Sequence, residues 1–197
     1  MMRAFIAFKL PEGVTASLGS LQSRLRQYGL NLRWVRPENI HLTLKFLGNV
    51  DPDRRESLAA VLRQVSGNHQ GLSLQAKGLG VFPTIRKARV LWSGVHGDTD
   101  RLHDFHDDLE HALAAEGFEP EKRSFRGHLT LGRVKGRIRP QQLAGAIESN
   151  GSFSSSPFSA ERVTLFRSEL KPSGAEYTEI AGADLTGMPP GVGNDLN

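Results

Sequence analysis

The sequence contains no cysteine among its 197 residues. That absence excludes disulfide bonds, thiolate metal ligands and a cysteine nucleophile. Long apolar runs are missing too, since no segment approaches the roughly 18 uninterrupted apolar residues of a membrane-spanning helix. The apolar stretch at residues 4–8 is too short for a signal peptide and is typical of a strand. We therefore expect a cytoplasmic protein that does not enter a membrane.

The charge balance is shifted only weakly to positive. Lys and Arg number 25 against 21 Asp and Glu, which gives a formal net charge of +4 and a pI near 9.7. Such an excess favours an anionic partner, for example a nucleic acid or a phosphate ester, but solubility alone explains it equally well. The length suits one substantial core or two small packed lobes.

Two short segments share one alternating pattern of polar and apolar side chains. In His41-Leu42-Thr43-Leu44-Lys45-Phe46-Leu47-Gly48, a strand places His41 and Thr43 on one face and the leucines on the other. The segment His128-Leu129-Thr130-Leu131-Gly132-Arg133 repeats this arrangement. One such motif is usually a polar surface pair. Two in a small chain predict a site with two facing acid–base groups.

The order of the predicted elements repeats once along the chain. A strand, a helix, a histidine strand and a second helix are predicted first, and the same order starts again from about residue 80. We therefore predict an α+β fold of two pseudo-symmetric lobes, each an antiparallel sheet with helices outside, facing each other across a central cleft. Residues 1–184 are expected to form one domain with interleaved lobes. The Gly- and Pro-rich residues 185–197 are expected to be disordered.

If they face each other across this cleft, His41 and His128 supply the acid and base groups needed for displacement at phosphorus. Because imidazole titrates at about pH 6.5, one ring can act as a neutral general base while the other, protonated, acts as a general acid. Thr43 and Thr130 are placed to donate hydrogen bonds to non-bridging phosphoryl oxygens. The reaction needs positioning, charge stabilisation and proton transfer. The residue types thus predict a phosphoester site that uses neither a metal nor another cofactor.

The chain resembles the two-histidine phosphoesterases, and within them the bacterial and archaeal RNA 2′,3′-cyclic phosphodiesterases, also called 2′-5′ RNA ligases. Besides both His-x-Thr motifs, the resemblance rests on residues 3–8, 34–40, 78–83, 90–92 and 165–170. It covers roughly residues 2–181. A lone His-x-Thr is almost uninformative, whereas the pair with these flanks is highly specific. The sequence departs from the family at Gly127, where members commonly carry proline before the second histidine.

The resemblance implies hydrolysis of RNA 2′,3′-cyclic phosphate ends to 2′-phosphates. His41 is then the general acid that protonates the departing 3′-oxygen, and His128 is the general base that activates water. Thr43 and Thr130 hold the phosphoryl oxygens, although a pseudo-symmetric site also permits exchanged histidine roles. Run in reverse with a 5′-hydroxyl RNA end, the same groups make a 2′-5′ linkage. The implied partner is RNA with cyclic phosphate ends, tRNA fragments included, and we expect a monomer.

Two basic residues near the motifs are candidates for substrate binding. Lys45 shares the parity of His41 and is expected to lie at the rim of the cleft. Strict alternation puts Arg133 opposite His128 unless the strand bulges at Gly132, although the resemblance implies a basic residue near the substrate there. Two aromatic residues, Trp34 and Phe46, could stack on a base. Parity favours a core position for Phe46.

A competing cluster of metal-ligand types lies on the helix predicted over residues 98–116. His103, Asp107 and His111 recur every four residues and so share one helical face. The two histidines are two turns apart and cannot share one ion, which leaves only two adjacent ligands. We therefore interpret this face as solvated, with no metal.

Two other functions remain compatible with the residues. The first is a two-histidine enzyme acting on another small cyclic phosphodiester, such as ADP-ribose 1″,2″-cyclic phosphate. The second is a non-catalytic protein that binds RNA ends. The presence of both histidines disfavours the second, because binding alone can be done by Lys or Arg.

Overall fold

The computed structural model describes residues 1–172 and 174–187. Nine strands lie in this part of the chain: β1 (Met2–Lys9), β2 (Leu32–Trp34), β3 (His41–Val50), β4 (Leu72–Phe82), β5 (Val90–Gly97), β6 (His128–Val134), β7 (Phe158–Ala160), β8 (Arg162–Lys171) and β9 (Gly174–Asp184). The α-helices described are α1 (Glu12–Arg26), α2 (Arg55–Ser66), α3 (Thr99–Ala115) and α4 (Pro140–Ser149). No helix among these residues is long and apolar enough to cross a membrane.

All nine strands belong to one antiparallel sheet with the order β7-β4-β5-β6-β3-β1-β8-β9, and β2 pairs with β6. The two histidine strands, β3 and β6, meet at its centre with Leu42 opposite Leu129. The lobes interleave, because β8 and β9 complete the half that holds β1 and β3, while β4 and β7 complete the other half. The prediction of an α+β fold with two pseudo-symmetric antiparallel lobes is confirmed.

The main core lies between the sheet and the helices. Strand residues Phe8, Leu42 and Leu129 are fully buried there. The helices contribute stripes at three- and four-residue spacing, such as Leu58 and Leu62 of α2, which explains why these segments are helical. Packing fixes one face of each histidine strand against the helices, so the alternate residues are turned to the opposite face of the sheet.

Both histidine strands carry a bulge after the threonine. In β3, Ala7 pairs with Thr43 but the preceding Ile6 pairs with Lys45, so one residue of β3 is unpaired. In β6, Trp92 pairs with Thr130 while Leu91 pairs with Gly132. A bulge inserts one residue and reverses the side-chain parity beyond it. Lys45 and Phe46 in β3, and Arg133 in β6, therefore face the side opposite to the one that strict alternation predicts.

The carboxyl-terminal boundary differs from its prediction by three residues. Leu185 is buried and donates its N–H to Glu161, Thr186 donates to Ser66, and Gly187 donates to His69. These backbone bonds hold residues 185–187 against the body of the protein, so disorder from residue 185 was wrong. The rest of the predicted tail, residues 188–197, lies outside the described residues.

Candidate active site

The centre of the sheet brings together the four residues predicted from the two motifs. Because β3 and β6 are antiparallel with Leu42 opposite Leu129, the register places His41 beside Thr130 and Thr43 beside His128. All four side chains are partly exposed, whereas the leucines between them are buried. Two imidazoles and two hydroxyls thus converge on the face of the sheet that the main core leaves open.

Each histidine ring is held by the same local hydrogen bond. His41 Nδ1 lies 2.8 Å from the carbonyl oxygen of Asn39, and His128 Nδ1 lies 2.8 Å from that of Arg126. A carbonyl oxygen can only accept, so Nδ1–H donates in both rings. This fixes the tautomer and leaves the unprotonated Nε2 as the nitrogen of each ring that can accept a proton.

Burial lowers the pKa of both imidazoles. For His41, desolvation outweighs the hydrogen bond to Asn39, and with repulsion from His128 and Arg133 it lowers the pKa to about 4. For His128, desolvation is again the main cause, with repulsion from Arg133 added, and the pKa is lowered from 6.5. Both rings are therefore mainly neutral at pH 7 in the absence of an anion.

Aromatic residues flank both histidines. Phe5 stacks on His41 with 4.7 Å between ring centroids, and Tyr177 presents its edge to the same ring at 5.3 Å. Phe82 makes an edge contact with His128 at 5.0 Å, and Trp92 lies 6.4 Å away. Sequence reasoning assigned none of these four to the site. One signal for them is present in the sequence: β1 carries apolar side chains on both faces, which indicates that Phe5 packs against something on the face opposite to the main core.

Arg133 reaches the site because of the bulge in β6. The extra residue returns its side chain to the face of His128, and Arg133 is exposed there. Its positive charge contributes to the lowered pKa of His41 and His128, and it opposes the burial that raises the pKa of Tyr177, so Arg133 lies within electrostatic range of all three. The site thus holds a permanent cation beside two titratable imidazoles.

The structure places Lys45 on the other side of the sheet, so the prediction that it lines the cleft was wrong. The bulge in β3 turns Lys45 toward the helices, where it is only 7% exposed. Its ammonium donates to Glu110 of α3 at 2.8 Å and to the carbonyl oxygen of Glu119 at 2.8 Å. Glu110 also accepts the N–H of Glu121. Lys45 therefore anchors α3 and the segment after it.

We expect Lys45→Met to destabilise the protein by about 3 kcal/mol, because the Glu110 carboxylate, only 13% exposed, loses its charge partner. Urea unfolding measures this loss. The double variant Lys45→Met/Glu110→Leu is expected to recover most of it, since no unpaired charge then remains. If Lys45→Met left the stability unchanged but raised KM, Lys45 would instead be a substrate-binding residue.

The prediction of a core position for Phe46 was also wrong, because the bulge in β3 turns its side chain to the other face. Its side chain is 62% exposed and lies 6.0 Å from Phe5, on the histidine face instead of in the core. Phe46 and Arg133 stand five residues after His41 and His128 respectively, so they occupy matching places in the two lobes. Trp34 is half-buried against the main core, with the guanidinium of Arg26 above its ring at 4.9 Å.

The competing cluster on α3 forms local hydrogen bonds only. His103 Nδ1 lies 2.6 Å from the carbonyl oxygen of Thr99, and His111 Nδ1 lies 2.8 Å from that of Asp107. Each imidazole is thus bonded to the backbone one helical turn earlier. Within residues 1–172 and 174–187, no three His, Asp or Glu side chains are grouped closely enough to hold a metal ion.

The chain is similar to known proteins over most of its length. Residues 8–92 and 95–177 match the family described as LigT-like phosphoesterase, one segment for each half of the repeat. A Thermotoga maritima protein named RNA 2′,3′-cyclic phosphodiesterase is 36% identical over 94% of this chain and 97% of its own length. A Methanothermobacter thermautotrophicus protein of the same name is 34% identical over 91% of this chain and 96% of its own.

Solved structures share the fold. The Thermus thermophilus protein TT0787 superposes with a TM-score of 0.77 at 26% identity, covering 94% of this chain and 99% of the other. Escherichia coli LigT complexed with 3′-AMP gives a TM-score of 0.72 at 22% identity, with 94% and 98% covered. At 22% identity, the similarity to LigT shows a shared fold only.

Proposed function

The chain belongs to the LigT-like phosphoesterase family, and from that membership we propose that it hydrolyses RNA 2′,3′-cyclic phosphate ends to 2′-phosphates. The observation that carries this proposal is the matched pair of imidazoles. Each has Nδ1 bonded to a backbone carbonyl two residues earlier and Nε2 available for proton exchange. The same acid–base group on each of two adjacent strands suits a reaction that needs one proton removed and one supplied.

In the proposed reaction, the two histidines act on opposite sides of the phosphorus. His128 Nε2 takes a proton from water as the water oxygen attacks phosphorus. His41 donates a proton from Nε2 to the 3′-oxygen as its bond to phosphorus breaks. The phosphoryl group stays on the 2′-oxygen. Thr43 and Thr130 donate hydrogen bonds to the non-bridging oxygens, and Arg133 stabilises the charge that develops there.

No step in this scheme requires a metal ion, because protein groups supply both proton transfers and the positive charge. With a 5′-hydroxyl RNA end in place of water, the same groups form a 2′-5′ phosphodiester. We include that reversible ligation in the proposal, since His128 can remove a proton from a 5′-hydroxyl as well as from water.

The proposed function is tested by a comparison of substrates. A short RNA ending in a 2′,3′-cyclic phosphate is incubated with the protein, and the product is compared with authentic 2′- and 3′-phosphate standards. We expect the 2′-phosphate. ADP-ribose 1″,2″-cyclic phosphate is assayed in parallel, and a higher kcat/KM on that compound would contradict RNA as the substrate. Tight binding of the RNA end without turnover would contradict the hydrolytic scheme.

The lowered histidine pKa values give a prediction for pH dependence. The active free enzyme carries one proton on the pair, and both pKa values lie below 6.5, so the singly protonated form is lost as pH rises. We expect kcat/KM to be maximal below about pH 6.5 and to fall about tenfold per pH unit above it. Because an anion bound beside the rings favours the charged imidazolium, we expect the optimum of kcat to lie at higher pH than that of kcat/KM.

Rates between about pH 3.5 and 9 measure this dependence, with the circular dichroism spectrum recorded at each pH to confirm that the protein stays folded. A kcat/KM that is constant from about pH 6.5 to 9 would be incompatible with an essential protonated histidine in the free enzyme.

A further inference from the structure

The two histidines differ in the space next to their rings. Phe5 and Tyr177 cover His41 at 4.7 and 5.3 Å. His128 instead lies at the edge of an open cavity of about 340 Å³, and His41 does not line that cavity. The two histidines therefore differ in their flanks, because two aromatic rings lie against His41 whereas His128 borders room for a further group.

The walls of this cavity suit a nucleoside. Three of its lining residues are the aromatics Phe82, Trp92 and Phe125, with Thr99 and Arg126 among the polar ones. Its volume is at the lower end of the range of about 300–1,000 Å³ found for small-molecule sites. Aromatic side chains beside a cation form the usual platform for an unpaired base.

The position of Trp92 depends on a glycine in the neighbouring strand. Trp92 pairs with Gly80, and a Cβ atom at residue 80 would lie 2.2 Å from two ring carbons of the indole. The ring therefore lies directly over the backbone of β4. Its buried Nε1–H has no hydrogen-bond acceptor among the described residues, which costs stability. No hydrogen bond among the described residues therefore explains why the indole lies at this cavity, where it provides a large aromatic surface.

The geometry of in-line displacement places the cavity on the side of phosphorus from which the nucleophile attacks. The nucleophile and the leaving oxygen lie on opposite sides of phosphorus, and in the proposed function His128 activates the nucleophile. Water needs no cavity of this size. We propose that the cavity is an acceptor subsite, which holds the nucleoside whose 5′-hydroxyl attacks the cyclic phosphate. This inference rests on the proposed function and adds the place at which its second substrate, the 5′-hydroxyl nucleoside, binds.

The reaction at this subsite balances without another reactant. The 5′-oxygen forms a bond to phosphorus and gives its proton to His128 Nε2. The bond from phosphorus to the 3′-oxygen breaks, and that oxygen receives the proton of His41. The product is a 2′-5′ phosphodiester with a free 3′-hydroxyl. In the reverse direction, the 5′-oxygen leaves from the cavity side.

The reverse reaction provides the test. We compare kcat/KM for cleavage of a 2′-5′-linked adenosine dinucleotide, which fills both sides, with kcat/KM for hydrolysis of adenosine 2′,3′-cyclic phosphate, which leaves the cavity empty. Trp92→Phe is expected to lower the ratio of cleavage to hydrolysis about tenfold. Trp34→Phe makes the same change at a tryptophan outside the cavity and is expected to leave the ratio unchanged.

The outcomes separate this inference from the function on which it rests. A ratio unaffected by Trp92→Phe would overturn the subsite, as would wild-type protein that hydrolyses the cyclic phosphate but never cleaves the dinucleotide. Wild-type protein that acts on neither compound contradicts the proposed function itself.

A direct measurement covers the case in which Trp92→Phe does not fold. The chain has two tryptophans, so Trp34→Phe leaves Trp92 as the sole indole. Stacking of a base in the cavity is expected to quench its fluorescence saturably when adenosine is added. Fluorescence that does not change with adenosine would overturn the subsite.

Discussion

Replacement of either histidine by alanine is expected to lower kcat for hydrolysis of a 2′,3′-cyclic phosphate RNA end by about 10²–10⁴-fold, the range found for general acid–base catalysis. The expected result is similar for His41→Ala and His128→Ala, because each removes one of two necessary proton transfers. The double variant is expected to be little slower than the worse single one, since residues that act as a unit are not additive.

Single-turnover rates at saturating enzyme measure these losses without a contribution from product release. The affinity of each variant for the 2′-phosphate product serves as the control, and it is expected to change much less than the rate. A loss below tenfold in either variant would contradict a catalytic role for that ring.

The same variants assign the acid and the base. A substrate with sulfur in place of the 3′-bridging oxygen has a leaving group that needs no proton, so it restores activity only to the variant that lacks the general acid. We expect restoration in His41→Ala and none in His128→Ala. The opposite pattern would exchange the two roles while leaving the pair itself intact.

Arg133→Met is expected to give the second large effect, a fall in kcat of about 10²-fold or more, because a cation aimed at the developing phosphoryl charge is lost. Its removal also takes away a repulsion that lowers the pKa of both histidines. The alkaline fall of kcat/KM is therefore expected to move to higher pH. The two effects together distinguish Arg133 from a residue that only supports the fold.

Arg133→Lys is the matched control. It keeps the positive charge but loses the planar donors of the guanidinium, so the pH profile is expected to stay near that of the wild type while kcat falls. Both profiles come from the pH series already described. A wild-type rate and pH profile in Arg133→Met would remove this arginine from the mechanism.

Much of the fold follows from local patterns in the sequence. Alternation identified the strands that carry His41 and His128, and three- to four-residue spacing identified the helices. The repeated element order predicted the two lobes, since similar segments form similar units. The pairing of the lobes could not be predicted in this way: β8 pairs with β1, and β6 pairs with β3, through contacts between residues far apart in the sequence, which periodicity does not encode.

The errors at the site have one physical cause. A bulge after Thr43 reverses the parity of β3, so Lys45 turned into the helix layer while Phe46 turned to the histidines. The bulge in β6, which the sequence analysis allowed for at Gly132, likewise accounts for the position of Arg133. Hydrophobic alternation cannot locate an inserted residue, although a glycine such as Gly132 signals that one is feasible. The aromatic flanks were missed for another reason, because Phe5 and Tyr177 meet His41 from strands far apart in the sequence.

In the proposed reaction, two histidines on adjacent strands hydrolyse a cyclic phosphate without a metal ion. The most direct test is the rate of hydrolysis of an RNA 2′,3′-cyclic phosphate end before and after exhaustive treatment with EDTA. We expect equal rates and a 2′-phosphate product in both cases. Activity that disappears with EDTA and returns only with a divalent ion would contradict the proposed mechanism.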